Sequence, residues 1–165
     1  MTTIAYRDDV LAADTQITCG GTIDGWAQKA FRKGRLLYAT SGSSGLGDRF
    51  ASWVSGGMQG DAPCLKGEGD KDGGHGYLFP GGDRVVWRYD DVWATHRAPF
   101  FAYGSGAEIA LGAMLAGASA EEAVRAAAER DIATGGEITV LRRDSAAQGP
   151  QVESEGSREE LKPHA

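Results

Sequence analysis

Thr2 is the first residue in this chain whose type and position could do chemistry. A methionine before a small residue is normally removed, and its removal here would leave Thr2 with a free α-amine. A threonine hydroxyl is a poor nucleophile until a base takes its proton. An N-terminal amine titrates at about 7.7–8.0, so Thr2 would carry nucleophile and base together. The same Met-Thr start also fits an ordinary trimmed terminus. The other polar residues of interest each have a plain reading. Asp14 could cap a turn, Lys29 could be a solvated strand lysine, and Ser105 could be the N-cap of a helix. Asp131 could be one more acid at a helix end, although there it would oppose the macrodipole. His75 and His96 have no Cys or His at ligand spacing, so no metal site is expected. His164 lies in a polar tail. Gly20-Gly21, Gly81-Gly82 and Gly104-x-Gly106 read as turns, and none forms the strand–GxGxxG–helix unit of a dinucleotide site, so no cofactor is expected.

The elements that must position these residues can be read from periodicity. Thr3 to Tyr6 and Val10 to Ala13 read as strands about an Arg7-Asp8-Asp9 turn, the second so uniformly apolar that it suggests burial on both faces. Gln28 to Arg32 and Leu36 to Ser41 form a second pair about Lys33-Gly34-Arg35. Leu46, Phe50, Trp53 and Val54 mark a helix over Ser43 to Met58, ended by Gly56-Gly57. Residues 59–76, dense in Gly and Asp, read as a mobile surface loop. Strands follow at Tyr77 to Phe79, Arg84 to Tyr89, Val92 to Thr95 and Phe100 to Tyr103. A helix is predicted over Ala107 to Ala116. Another, with a capping box at Ser119 and Glu122, is predicted to run to about Ile132. Glu137 to Leu141 is a last strand. Trp26, Trp53, Trp87 and Trp93 read as core or interface residues. The fold class is α+β, with helices available for both faces of a sheet. One domain over 1–143 is expected, and 144–165 reads as a disordered, polar, acidic tail.

Composition narrows the function classes. The chain has 165 residues, enough for one domain that buries a core without disulfides. Its net charge of −6 argues against a nucleic-acid partner. No apolar run is long enough for a membrane helix, and no signal peptide is evident. With Cys19 and Cys64 as its two cysteines, a reducing, cytoplasmic setting is expected.

Several motifs, in order, resemble one family. Thr2-Thr3-Ile4-Ala5 followed by Val10-Leu11-Ala12-Ala13-Asp14-Thr15 resembles the opening of proteasome β subunits and their bacterial relative HslV, which are N-terminal-nucleophile (Ntn) hydrolases. Lys29 with Thr40-Ser41-Gly42, Gly104-Ser105-Gly106, and Arg130-Asp131-Ile132-Ala133-Thr134-Gly135-Gly136 continue the resemblance, which spans residues 2 to 142. It implies a four-layer αββα sandwich and a threonine-type peptidase working through an acyl-enzyme. Thr2 would be the nucleophile. Lys29 would lower the pKa of its hydroxyl and Asp14 would hold the lysine. Ser105 and Asp131 would contact the amine and orient it, and catalytic Thr134 would stand where the family usually has serine, keeping the hydroxyl. The backbone N–H of Ser43 would hold the oxyanion. Thr18, on a strand pairing with extended peptide, and Ile17, Ser41, Ala27 and Gly45 would meet the substrate.

The sequence also departs from the family. Gly42-Ser43-Ser44-Gly45 replaces an Ala-Gly-Gly turn. A single helix followed by residues 59–76 replaces two long helices, so the first helical layer is expected to be reduced. No pro-segment precedes Thr2, as in HslV. The implied substrate is peptide or unfolded protein, the implied assembly a homo-oligomeric ring, and the implied partner an ATP-dependent unfoldase. A small-amide amidase of the same fold, and an inactive ring-forming structural subunit, are the alternatives.

Overall fold

The computed structural model describes residues 1–68, 73–82 and 84–143. The expected tail, 144–165, lies outside the described residues. In chain order the elements are β1 (Thr3–Arg7), β2 (Val10–Ala13), β3 (Gln16–Cys19), β4 (Thr22–Trp26), β5 (Ala30–Lys33), β6 (Leu36–Gly42), α1 (Ser44–Ser55), β7 (Gly74–Phe79), β8 (Val85–Tyr89), β9 (Trp93–Arg97), β10 (Phe100–Gly104), α2 (Ala107–Leu115), α3 (Ala120–Ala128) and β11 (Thr139–Arg142). The class is α+β.

Two antiparallel sheets carry the molecule, ordered β10-β1-β2-β11 and β5-β6-β7-β8-β9, with β3 and β4 forming a separate hairpin. Asp8 and Asp9 both take positive φ, which suits the two-residue turn joining β1 to β2. Alternation along each strand then sorts the side chains. Ile4, Tyr6, Leu11, Ala13 and Phe101 from the first sheet meet Leu37, Ala39, Tyr77, Phe79 and Val86 from the second in one buried cluster. Ala5, Ala12 and Ala102 point the other way and pack on Ala110, Met114, Ala123 and Val124 of α2 and α3. Tyr38, Leu78 and Tyr89, on the far face of the second sheet, pack on Phe50, Ala51 and Val54 of α1. The apolar run Val10 to Ala13 is therefore covered on both faces, as its composition predicts.

Three expectations need correction. The glycine-rich stretch 59–76 is not all loop: β7 begins at Gly74, three residues before Tyr77. Its glycines serve packing. A Cβ on Gly76 would lie 2.3 Å from the Phe50 ring and one on Gly74 2.8 Å from Leu46, so only bare backbone lets α1 lie this close. Upstream, Leu65 is fully buried among the α1 aromatics, and its N–H donates to the Asp91 carboxylate. Second, α3 stops at Ala128, short of Ile132. The Asp131 carboxylate accepts from the N–H of Ala133 and from the Thr134 hydroxyl, a local turn that competes with further helix. At the other end of α3, Ser119 and Glu122 form the predicted capping box. Third, of the core and interface readings for the tryptophans, the core one does not hold. Trp26, Trp87 and Trp93 are exposed, and Trp53 is packed only in part against the α1 cluster. Trp93 stands on β9, the outermost strand of its sheet, exposed along its length.

The close approach of α1 is testable. Gly76→Ala should destabilise the protein by about 1–3 kcal/mol, because the Phe50 ring has no room to move. Leu11→Ala, in the sheet–sheet core, should cost about 2–5 kcal/mol. Urea denaturation measures both.

Candidate functional site

The inter-sheet core runs out at one end of the strands, and there a cleft of about 1030 Å³ opens. Several elements end at it: β1 with Thr2 just before it, the β3–β4 hairpin, the junction of β6 and α1, the start of β7, the β10–α2 turn, and the turn after α3. Of the residues expected at the site, Thr2, Ile17, Thr18, Ser41, Ser43, Ser105 and Asp131 line this cleft. Asp14, Lys29 and Thr134 are buried close by. Ala27 and Gly45 are not among the lining residues. Ala27 faces a separate groove beside Trp26.

Asp14 and Lys29 form the centre of the polar network. Asp14 is wholly buried and Lys29 is 4% exposed. The lysine Nζ lies 3.0 Å from both carboxylate oxygens, and also donates to the carbonyls of Gln16 and Met1, the latter at 2.9 Å. Asp14 further accepts the N–H of Thr3 at 2.8 Å and those of Gln16 and Gly135 at 3.2 Å. Lys29 is therefore not a solvated lysine, and Asp14 does more than cap its own turn through the Gln16 N–H. Burial pulls the Lys29 pKa down, against the charge and hydrogen bonds of Asp14 and the more distant charge of Asp131, which pull it up.

The second cluster surrounds the head of β1. Ser105 donates its N–H to the Thr2 carbonyl at 2.8 Å and its hydroxyl to the same oxygen at 3.4 Å. The N-cap of α2 is Gly106, with no side-chain capping bond, so Ser105 is not the cap. Thr134 donates to Asp131 at 2.6 Å, and its hydroxyl bonds that of Thr3 rather than any atom of Thr2. The N–H of Gly106 donates to the Thr3 hydroxyl at 3.0 Å. Burial disfavours the Asp131 charge, but the Ser105 and Thr134 hydroxyls, the Ala133 N–H and the positive chain terminus together hold its carboxyl below the usual range. Gly104 and Gly106 are recesses as well as turn residues. A Cβ on Gly104 would lie 1.8 Å from the Thr2 carbonyl oxygen, and Gly104 sits at φ +96°.

One expected donor is already engaged. Ser43 lines the cleft, but its N–H donates to the Gly73 carbonyl at 3.0 Å, which ties it to the start of β7. The neighbouring Ser44, also at the cleft, belongs to the first turn of α1, whose N–H groups have no acceptor within the helix. Ser41 bonds the Tyr77 hydroxyl at 3.0 Å. Sequence reasoning missed Thr3, Gln16 and Gly135, which act through main-chain N–H or C=O groups or through a second-position hydroxyl. It also missed Cys19, Asp24 and His75, which line the cleft. His75 was visible only as an isolated histidine. Among the described residues there is no group of His, Cys, Asp and Glu that could hold a metal ion. Nor is any described helix long and apolar enough to cross a membrane.

The fold is similar to that of a bacterial protein of known structure. No family model matches the sequence, and no curated protein does. Two solved structures of BPH from Thiobacillus denitrificans are similar in fold. One matches with a TM-score of 0.59 at 22% identity, covering 87% of this chain and 98% of the other. The second, BPH in complex with epoxomicin, matches with a TM-score of 0.56 at 23% identity over 87% and 99%.

Two measurements probe the network. Asp14→Asn strands a buried ammonium and should cost about 3–5 kcal/mol in urea denaturation. Adding Lys29→Met, which removes the stranded charge, should recover part of that loss. Asp131 has a folded pKa below its ordinary 3.8, so the stability it contributes is full above that value and is lost as pH falls through the lower folded value. Asp131→Asn should therefore flatten the acid limb of a plot of urea midpoint against pH.

Proposed function

We propose that this chain is a threonine-type N-terminal-nucleophile hydrolase of the proteasome and HslV kind, cleaving peptide bonds through Thr2 after Met1 is removed. The observation that carries this reading is the position of Thr2, held at the head of a central strand and lining a cleft with the Lys29–Asp14 pair buried nearby. The stacking of α1, two sheets, and α2 with α3 supports the four-layer αββα Ntn sandwich, with one helical layer reduced to a single helix. The complex of the structurally similar BPH with epoxomicin, a proteasome inhibitor, favours the same chemistry.

The mechanism follows from the geometry. While Met1 is present, the three Lys29 N–H groups face the Met1 carbonyl, the Asp14 carboxylate and the Gln16 carbonyl. Removal of Met1 takes away the first of these acceptors, next to Thr2, and frees one N–H in the charged state that Asp14 supports. A cation there lowers the pKa of the Thr2 hydroxyl and disfavours protonation of the new α-amine, which acts as base. Ser105 and Asp131 orient that amine, and Thr134 holds Asp131. The hydroxyl attacks the amide carbonyl and the oxyanion develops at the N-terminus of α1. The donor there is the Ser44 N–H, or that of Ser43 once it leaves Gly73. Collapse expels the amine product, which takes its proton from the α-ammonium, and water, deprotonated in turn by the α-amine, then hydrolyses the acyl-enzyme and restores the Thr2 hydroxyl. Thr18 and Ile17 on β3, with Ser41 on β6, meet the peptide. A homo-oligomeric ring, an ATP-dependent unfoldase partner and a cytoplasmic setting complete the proposal.

Intact-mass measurement with and without an epoxyketone tests it. The expected result is loss of Met1 and one covalent adduct, absent in Thr2→Ala and formed about 100-fold or more slowly in Lys29→Ala. Retention of Met1 without an adduct overturns the mechanism, and a free Thr2 that never labels favours an inactive subunit.

A further inference from the structure

His75 forms part of the cleft wall, and the mechanism above does not use it. It sits directly opposite Ser41 in the β6–β7 ladder. Its neighbours Gly74 and Gly76 lie against Leu46 and Phe50 of α1, so His75 and Tyr77 project from the other face, toward the first sheet. Tyr77 stacks there on Tyr103 with centroids 4.2 Å apart, and His75 opens into the cleft that Thr2 lines.

The chemistry presented by the ring follows from what lies behind it. Nδ1 is buried and has no hydrogen-bond partner. Two opposite charges stand behind it: the Asp90 carboxylate, 3.8 Å from Nδ1, and Arg88, which donates to Asp90 at 3.1 Å. A carboxylate on that side favours the tautomer with its proton on Nδ1, which leaves Nε2, at the opposite edge of the ring, as a hydrogen-bond acceptor. Burial and the charge of Arg88 lower the His75 pKa against the pull of Asp90, so the ring is neutral at pH 7. Ser41 and Tyr77, its other neighbours, are uncharged. The carboxylates of Asp24, on β4, and Asp131 line the same cleft, and no lysine or arginine does so among the described residues. The cleft wall therefore presents hydrogen-bond acceptors and two carboxylates.

We propose that the cleft selects peptides carrying a lysine or arginine side chain, whose N–H groups are taken by His75 Nε2 and the Asp24 carboxylate. The proposal rests on the reading of this cleft as the substrate site. Charge-assisted hydrogen bonds of this kind favour the matched partner, and protonation of His75 would remove the lone pair and repel the cation.

The test uses Thr2→Ala protein, which leaves peptides intact, and acetylated peptide amides identical except for one Arg, Leu or Glu residue. Affinities come from NMR titration, with the His75 ring signals as a local reporter. The arginine peptide should bind at least about tenfold more tightly than the glutamate peptide at pH 7. It should shift the His75 ring signals and lose part of its advantage as pH falls below 6.5 through the lowered His75 value. His75→Lys and Asp24→Asn should each reduce the ratio. Equal or reversed affinities in the parent protein overturn the proposal, as does a ratio that neither substitution moves. Covalent labelling of unsubstituted protein reports separately on the hydrolase reading. Labelling without arginine preference sinks the selectivity alone, whereas no labelling together with no peptide binding sinks both.

Discussion

A buried ion pair joins the two sheets at the site. Asp14 follows β2 in the first sheet, and Lys29 precedes β5 in the second. Neither charge would be tolerated in the core alone, and each is satisfied by partners that lie far apart in sequence. The carboxylate gathers main-chain N–H groups from Thr3, Gln16 and Gly135, which belong to β1, β3 and the approach to β11. The ammonium gathers carbonyls from Met1 and Gln16. Four chain segments are thereby fixed around one pair of side chains, and the head of β1 acquires its position relative to the cleft. A pair of this kind adds little net stability over an apolar replacement, but it does specify geometry.

The polar site is confined to the strand ends because the middle of each strand is fully committed to packing. Ile4 and Tyr6 fill the space between sheets, while Ala5 leaves room for α2 and α3 on the other side. Only beyond Thr3 does this alternation give way to hydroxyls and carboxylates. The Thr3 hydroxyl, bonded to Thr134 and Gly106, is the last side-chain hydroxyl of β1 before the cleft. Thr2, one residue further out, borders open space.

How much of this was legible in the sequence depended on the kind of signal. The β1–β2 hairpin was legible because the charged Arg7-Asp8-Asp9 turn and an apolar run are local features, although Arg7 proves to be the last residue of β1. The α3 cap was legible for the same reason. The end of α3 was misjudged because alanine-rich periodicity carries through to Ile132, and the competing Asp131 turn involves Thr134, which only the fold brings into play. The glycines before Tyr77 were misread because a glycine that breaks a strand and one that makes room for a helix look alike until the helix is placed. At the site, Asp14, Lys29, Ser105 and Asp131 stood out through motif resemblance. The donors that satisfy Asp14 did not, since a backbone N–H has no signature in sequence. His75 needed the β6–β7 register before its place opposite Ser41 could be known.

The position of β1 within its sheet also bears on the order in which the molecule is built. It is flanked by β2, available almost at once, and by β10, whose Gly104 pairs with Thr3 across about a hundred residues. During synthesis at roughly 5–20 residues per second, β1 would wait about 5–20 s for that second neighbour. Through that interval the head of the strand lacks Gly104, Ser105 and Asp131, the groups that enclose it in the finished protein. The head of β1 is thus open while synthesis continues, and it is enclosed only once β10 and the turn after α3 have been made.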